Sequence, residues 1–414
     1  MATEPTILHS DLNCFYASVE MMLDPRLRGK AVAVCGSTED RHGIVLAKSE
    51  LAKRAGVKTG MVNWEAKQRC PDLILVPPQY EQYLKYSKLA HEIYYRYTDM
   101  VEPFGMDECW LDCTGGRGLY GDGPRIADEI RTAMREELGL TVSVGVSYNK
   151  IFAKLGSDMK KPDAVTVITS SDFKEKVWPL PASDLLYVGR ATAKRLEGYG
   201  IHTIGDIART PPELLRSWFG VNGLAIWKYA SGTDTSRVMH KDFVSPVKSV
   251  GHGITCIADL ETEEEVWKVI LSLCQDIGHR LKLHELSACG VQIAVRSNDL
   301  FGSQYQCKIP YKTQLPSEIA ATAFRLFKEN YQWNKNVRAI AVRAINLVPQ
   351  NQPDQLSLFV DTQKLIRREK LEDVVEELRG RFGKHAITYG ALMGNLKMPD
   401  DGRDAVKMPG MMYQ

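Results

Sequence analysis

The apolar positions fall into short runs and periodic stripes that divide the chain into blocks. Apolar runs at Thr6–Leu8, Ala31–Cys35, Ile44–Ala47, Leu73–Val76, Cys109–Leu111 and Thr141–Val146 predict strands, and in the last Val142, Val144 and Val146 alternate with Ser143 and Gly145. Between the strands lie helical patterns: Ile126, Ile130, Met134 and Leu138 recur every four residues as one stripe, and Gly139 ends the helix. The texture changes at Trp178-Pro179-Leu180-Pro181. Residues 183–230, punctuated by Gly189, Gly200, Gly205 and Pro211-Pro212, predict a small helical domain. Ser231–Val250 is weakly periodic with mixed charge, which suits a tether, an extended strand being the alternative. Beyond it Val266, Val269, Ile270, Leu273 and Ile277 form a helix stripe, while Val291/Ile293/Val295, Tyr305/Cys307/Ile309 and Ile340/Val342/Ala344 alternate as half-buried strands. Gln292, Arg296, Gln304, Gln306, Lys308, Arg338 and Arg343 are assigned to their other faces. The chain as a whole reads as a multidomain α/β (α+β) protein.

At ~100–200 residues per domain, 414 residues allow two to four domains, each able to bury a core. Apolar residues at 44% and charged ones at 25% exclude a disordered or collagen-like chain. The net charge of +2 is too small to name a nucleic-acid partner, so local charge must decide, and residues 179–350 lean slightly basic. The nine cysteines show no C-x-x-C and no histidines at finger spacing, so reduced thiols and no zinc are expected. The N-terminus lacks signal-peptide order and no apolar run approaches the ~18 residues of a membrane span, pointing to a cytoplasmic protein with no membrane partner.

Candidate chemistry begins with acids. Asp11 directly follows the predicted strand Thr6–Leu8, and Asp107-Glu108 open another strand. Strand-borne acids side by side suit two divalent ions ~3.5–4 Å apart, an arrangement that activates an attacking oxygen and neutralises a leaving phosphate. An acid pair alone does not establish this, for Glu39-Asp40 and Glu136-Glu137 show how readily such pairs occur in solvated turns.

The strings around these acids carry more. His9-Ser10-Asp11-Leu12-Asn13-Cys14-Phe15-Tyr16-Ala17-Ser18-Val19-Glu20 resembles the opening motif of the Y-family translesion DNA polymerases. Gly105-Met106-Asp107-Glu108-Cys109-Trp110-Leu111-Asp112 resembles that family's S-[IL]-D-E-[AV]-[YW]-L-D, and Ser147 with Asn149-Lys150-Ile151-Phe152-Ala153-Lys154 its S-x-N-K-x-x-A-K, completed by Asp158-Met159-Lys160-Lys161-Pro162. The resemblance runs from about residue 6 to 348 and is closest to the bacterial branch. It implies a right-hand polymerase: a ferredoxin-like palm (1–14 and 81–177), small fingers (15–80), a helical thumb with a helix-hairpin-helix (178–232), a linker (233–250), an α/β little finger (251–350) and a C-terminal tail (351–414).

The resemblance also implies site roles. Asp11, Asp107 and Glu108, with the Leu12 carbonyl, become ligands of two Mg²⁺ ions in nucleotidyl transfer from a dNTP to a primer 3′-hydroxyl. Tyr16 becomes the aromatic steric gate against a ribose 2′-hydroxyl, with Phe15 beside it; without the motif both would read as core aromatics of a helix Phe15–Met22. Lys161 matches a triphosphate-binding lysine, and Lys53 stands where an arginine is usual, a solvated helix face being the plainer reading of Lys53. Two positions depart from the pattern: Asn13 replaces an aspartate found in many relatives, and Glu50 replaces a common tyrosine, putting an acid where it would repel a triphosphate unless it points away.

For primer–template DNA, Gly189, Lys194 and Arg195 fall in the hairpin segment Leu186–Leu196, and Arg296, Lys308, Arg338 and Arg343 lie on the little-finger sheet, all suited to phosphate contacts that do not read sequence. Gln355-Leu356-Ser357-Leu358-Phe359 resembles the peptide by which bacterial polymerases dock on the sliding clamp, through Gln355, Leu356, Leu358 and Phe359. A monomer acting at the bacterial nucleoid in damage tolerance is expected. Two rivals stand beside this reading: a two-metal nuclease, and a clamp- and DNA-binding scaffold with a degenerate active site.

Overall fold

The structure is a computed structural model, described here for residues 4–353, 361–383 and 386–399. These residues form two compact units, one built from 4–36 and 44–244, the other from 37–43 and the described residues from 245 onward.

The first unit contains eight strands: β1 (Ile7–Leu12), β2 (Val32–Cys35), β3 (Val45–Lys48), β4 (Ile74–Val76), β5 (Val101–Pro103), β6 (Glu108–Asp112), β7 (Val142–Ser147) and β8 (Val165–Val167). Five of them make the main sheet in the order β5-β6-β1-β7-β8, with β1 central and antiparallel to both β6 and β7. Every residue of β1 and β7 is buried, because helices cover both faces of the sheet. On one face Leu8, Leu111, Val142 and Val144 pack against Ile126, Ile130 and Met134 of helix Gly123–Leu138 and against Tyr83, Ile93 and Tyr94 of helix Tyr80–Tyr94. The other face receives helix Lys150–Met159. Gly139 ends helix Gly123–Leu138 in the left-handed conformation, as the sequence indicates.

A second, three-stranded sheet, β3-β2-β4, closes over a small core of Ala33, Val45, Ala52, Val57, Ala66 and Leu73 with the short helices Glu50–Arg54 and Asn63–Arg69. Residues 182–230 are helical as expected, with helices Arg190–Gly198, Ile204–Arg209, Pro212–Phe219 and Val221–Ala230. Their core is not self-contained. Leu185, Leu196, Ile204, Leu215 and Ile226 pack with Ile151, Phe152 and Leu155, so helix Lys150–Met159 is buried between the main sheet and this helical block.

The second unit is a four-stranded antiparallel sheet of β9 (Val250–Leu260), β10 (Leu286–Ser297), β11 (Gly302–Thr313) and β12 (Val337–Pro349), ordered β11-β10-β12-β9. Helices Glu263–Leu283 and Pro316–Asn330 cover the face that carries Val291, Ile293, Val295, Ile340 and Val342. The residues read as a tail contribute here as well. After helix Thr362–Phe382, Tyr389, Leu392 and Met398 pack on this core, and the Ile257 amide donates to the Lys397 carbonyl at 2.9 Å. The sequence pattern misses β5 and β8, three residues each, and β9, whose Gly251, His252, Gly253 and Thr255 hide its alternation.

Helix Lys150–Met159 reaches its place through a glycine contact. A Cβ on Gly145 of β7 would stand 1.9 Å from the Ala153 carbonyl oxygen and 2.5 Å from the Ser157 nitrogen, while Gly156 of the helix faces it. Gly145→Ala is therefore expected to cost about 3 kcal/mol or more, seen as a lower urea midpoint. Gly118→Ala, where a Cβ meets nothing within 4 Å, is the control expected to be neutral.

Candidate active site

The register of β1 explains which acids meet. Ile7, His9 and Asp11 share one face of the strand, and across β6 they oppose Asp112, Trp110 and Glu108, so Asp11 and Glu108 project side by side toward helix Lys150–Met159. Asp11 lies inside β1 rather than after it, a correction to the strand predicted at Thr6–Leu8. Asp107 precedes β6, and its carbonyl accepts the Leu12 amide at 2.8 Å, tying the last residue of β1 to the acid pair.

Helix Lys150–Met159 and the turn after it answer this negative charge. Lys154 Nζ lies 2.9 Å from Glu108 Oε2, 3.6 Å from Asp11 Oδ2 and 3.0 Å from Asp158 Oδ2. Lys161 Nζ lies 2.7 Å from Asp11 Oδ2 and 2.9 Å from Asp158 Oδ1. Burial, with the charge of Glu108, raises Asp11 to about 6 against the pull of Lys161. Burial and the charges of Asp11 and Glu108 raise Asp107 to about 7. Burial also works against Glu108, but the His9 ring and the Lys154 ammonium outweigh it and hold this carboxyl down near 2. Lys161 shows the converse: burial pulls it down, and Asp11 and Asp158 more than restore it.

The donor set fits a hard divalent cation. Three carboxyls converge within a buried region, the His9 ring nitrogen Nε2, itself buried with no hydrogen-bond partner, stands 3.4 Å from Glu108 Oε2, and burial followed by neighbouring carboxylate charge pushes Asp11 and Asp107 toward their neutral forms. Among the described residues no three His, Cys, Asp or Glu side chains form a cage unaided. In this arrangement the lysine ammoniums supply the neutralising charge.

Beside the acids lies an aromatic wall. Tyr16 stacks on Tyr83 with centroids 4.2 Å apart and planes at 9°, meets Tyr80 edge-on, and donates its hydroxyl to Met106 Sδ at 3.1 Å. Phe15 is buried next to it. Tyr83 is anchored by its hydroxyl to buried Glu20, which also accepts from Gln79 at 2.7 Å. Glu50 does not hang loose in the site. It accepts from Cys14 Sγ at 3.6 Å and pairs with Lys53 at 3.3 Å, while burial, aided by Glu50, raises the Cys14 thiol to about 11 and keeps it a donor.

Other residues singled out from sequence lie elsewhere. Gly189 caps helix Arg190–Gly198 with open space around it, and the 3₁₀ turn Ala182–Asp184 precedes it. Lys194 is exposed. Arg195 is exposed too, but it donates to the Trp218 carbonyl at 2.7 Å and lies over the Phe219 ring, so its guanidinium also braces two helices. Arg296, Lys308 and Arg343 share the uncovered face of the second unit's sheet, separated by small residues such as Ala294 and Ala341. Arg338 departs from this face's alternation, since the register slips between Val337 and Ala339. Gln355, Leu356, Leu358 and Phe359 lie outside the described residues. The sequence reading did not name His9, Lys154 and Asp158 as site residues, although the 154/158/161 spacing on one helical face was available as a signal.

Comparison with known proteins identifies the family. Residues 10–158 match the impB/mucB/samB family and residues 247–358 that family's C-terminal domain. The chain is 50% identical over 387 residues to DNA polymerase IV of Acetivibrio thermocellus, covering 94% of this chain and 97% of that one. It is 36% identical over 393 residues to DNA polymerase IV 1 of Bacillus subtilis, covering 94% and 93%. A solved Y-family DNA polymerase chimera shares the fold, with a TM-score of 0.73 at 23% identity over 83% of this chain and 99% of that one.

The raised acids carry a sign. Asp107 and Asp11 hold protons more tightly folded than unfolded, so metal-free stability falls as pH rises from about 4 to 7; Glu108 contributes oppositely, its stabilisation being lost as pH falls below about 4. Asp107→Asn is expected to raise the metal-free melting temperature at neutral pH, by ~2–4 °C for each kcal/mol of relief, and to flatten its decline between about pH 5 and 7. A lower melting temperature would refute this view of the site.

Proposed function

The chain belongs to the impB/mucB/samB family, the Y-family of DNA polymerases, and from that premise we propose how its site works. It is a template-directed DNA polymerase of translesion synthesis, acting on primer–template DNA and dNTPs with divalent-metal dependence. The observation that carries the site assignment is the facing pair Asp11 and Glu108 on adjacent strands, with two lysine ammoniums lodged among the carboxylates.

Asp11, Asp107, Glu108 and the Leu12 carbonyl would hold two Mg²⁺ ions. Such ions, when bound, lower the pKa of the primer 3′-hydroxyl and neutralise the departing pyrophosphate. The chain's own groups do the rest. Lys161, which rests against Asp11, would offer its ammonium to the triphosphate, and Lys53 a second, more exposed one. Lys154 stays with Asp158 and Glu108, steadying the acid that would otherwise repel incoming phosphate. Tyr16, held flat by Tyr83, fills the space a 2′-hydroxyl would need.

In this reading residues 1–14 and 81–177 act as palm, 15–80 as fingers, 178–232 as thumb and 251–350 as little finger. Lys194 with the amides after Gly189, and Arg296, Lys308, Arg338 and Arg343, meet backbone phosphates, which makes affinity strongly salt-dependent. The peptide Gln355–Phe359 docks on a sliding clamp, and the protein works as a monomer in the cytoplasm at the nucleoid.

Primer extension with Mg²⁺ and dNTPs on undamaged and lesion-bearing templates tests the assignment. Asp107→Ala is expected to lower extension at least ~10³-fold with DNA binding retained, and Tyr16→Ala to raise ribonucleotide insertion ~10²-fold or more. Extension that survives in Asp107→Ala would overturn the metal assignment, and Mg²⁺-dependent shortening of the primer would favour the nuclease.

A further inference from the structure

We propose that Asn13 is a positioning residue for Lys161, holding the turn that returns this lysine over Asp11 and so setting the affinity for the incoming dNTP. The inference rests on the reading of Lys161 as the triphosphate-binding lysine.

Every polar group of Asn13 is engaged, and its engagements converge on that turn. The residue is buried. Its backbone is fixed first: the amide donates to the Thr141 carbonyl at 2.9 Å, and its own carbonyl accepts from Ser18 Oγ at 2.8 Å. The side chain then reaches across. Nδ2 donates to Ser143 Oγ at 3.0 Å, and Oδ1 accepts the backbone N–H of Asp163 at 2.9 Å.

Asp163 stands two residues after Lys161 with φ +53°, a left-handed conformation that L-residues adopt at a cost unless held. It is held from two sides. Asn13 takes its amide, and Arg131 and Arg135 of helix Gly123–Leu138 take its carboxylate at 3.0 and 3.2 Å. With both grips in place Lys161 Nζ comes to rest 2.7 Å from Asp11 Oδ2, and Asp11 lies only two residues before Asn13. One short stretch of chain thus carries a catalytic acid and the clamp on the lysine that neutralises it.

The chemistry also accounts for an amide at this position. Asn13 donates to one partner and accepts from another without adding charge. An aspartate could accept from Asp163 but could not donate to Ser143, and it would add a charge two residues from Asp11.

A double-mutant cycle tests the proposal. Equilibrium dNTP affinity is measured on a primer lacking its 3′-hydroxyl, in Mg²⁺, so that binding is read without chemistry. Lys161→Ala is expected to weaken dNTP binding about tenfold or more, as loss of a charge-assisted contact does, and Asn13→Ala about fivefold. Because both changes act through one lysine, the double variant should be no weaker than Lys161→Ala by more than about twofold. Should Asn13→Ala fail to fold by its melting curve, Ser143→Ala, which removes only one partner of the same amide, takes its place in the cycle with a smaller weakening in the same direction. Multiplicative losses in the double variant, or unchanged affinity in Asn13→Ala, would mean that Asn13 braces the fold without serving Lys161. Unchanged affinity in Lys161→Ala would instead remove the triphosphate role of Lys161, and this inference with it.

Discussion

Negative charge gathered where water is scarce governs the first unit. Asp11 lies near the end of the central strand β1, buried on both faces, Asp107 and Glu108 stand beside it at the start of β6, and Asp158 approaches from the helix that covers one of those faces. Such a cluster is tolerable only with cations close by. Lys154 and Lys161 provide these, which requires helix Lys150–Met159 to lie against β7 at the distance that Gly145 and Gly156 permit. The charge balance of the cluster therefore rests on two lysines held by one helix and the turn that follows it.

Much of this was legible in the residues. The apolar stripe of helix Gly123–Leu138, the alternation of β7 and the run of small helical elements between 182 and 230 appear where the pattern puts them. The strand β1 was only half visible. Covered on both faces it ought to read as a continuous apolar run, but His9, Ser10 and Asp11 interrupt it, so hydrophobicity ended the strand three residues before Asp11. Polar residues in a fully buried strand are themselves the mark of a site, because burial without a function would cost too much.

What stayed hidden depended on tertiary partners. Lys154 and Asp158 look like a solvated i, i+4 pair until β1 and β6 bring Asp11 and Glu108 beneath them. The bracing contacts of exposed Arg195 with Trp218 and Phe219, more than twenty residues away in sequence, were likewise out of reach of the sequence pattern. Glu50 shows the reverse. Its threat to a triphosphate was an argument from one side chain, and Cys14 and Lys53 answer it by tying the carboxylate down.

The helix Lys150–Met159 belongs to two cores at once: Ala153 packs with Ile7 and Trp110 of the main sheet, while Ile151, Phe152 and Leu155 complete the interior of the helical block. A right-hand polymerase is commonly described by the names of its parts, as though each could be lifted away. Here the hand has fewer joints than names. Separating residues 178–232 from the rest would strip one side of the helix that carries Lys154 and Asp158 and expose Ile151, Phe152 and Leu155, so the geometry of the acid cluster depends on the helical block behind it.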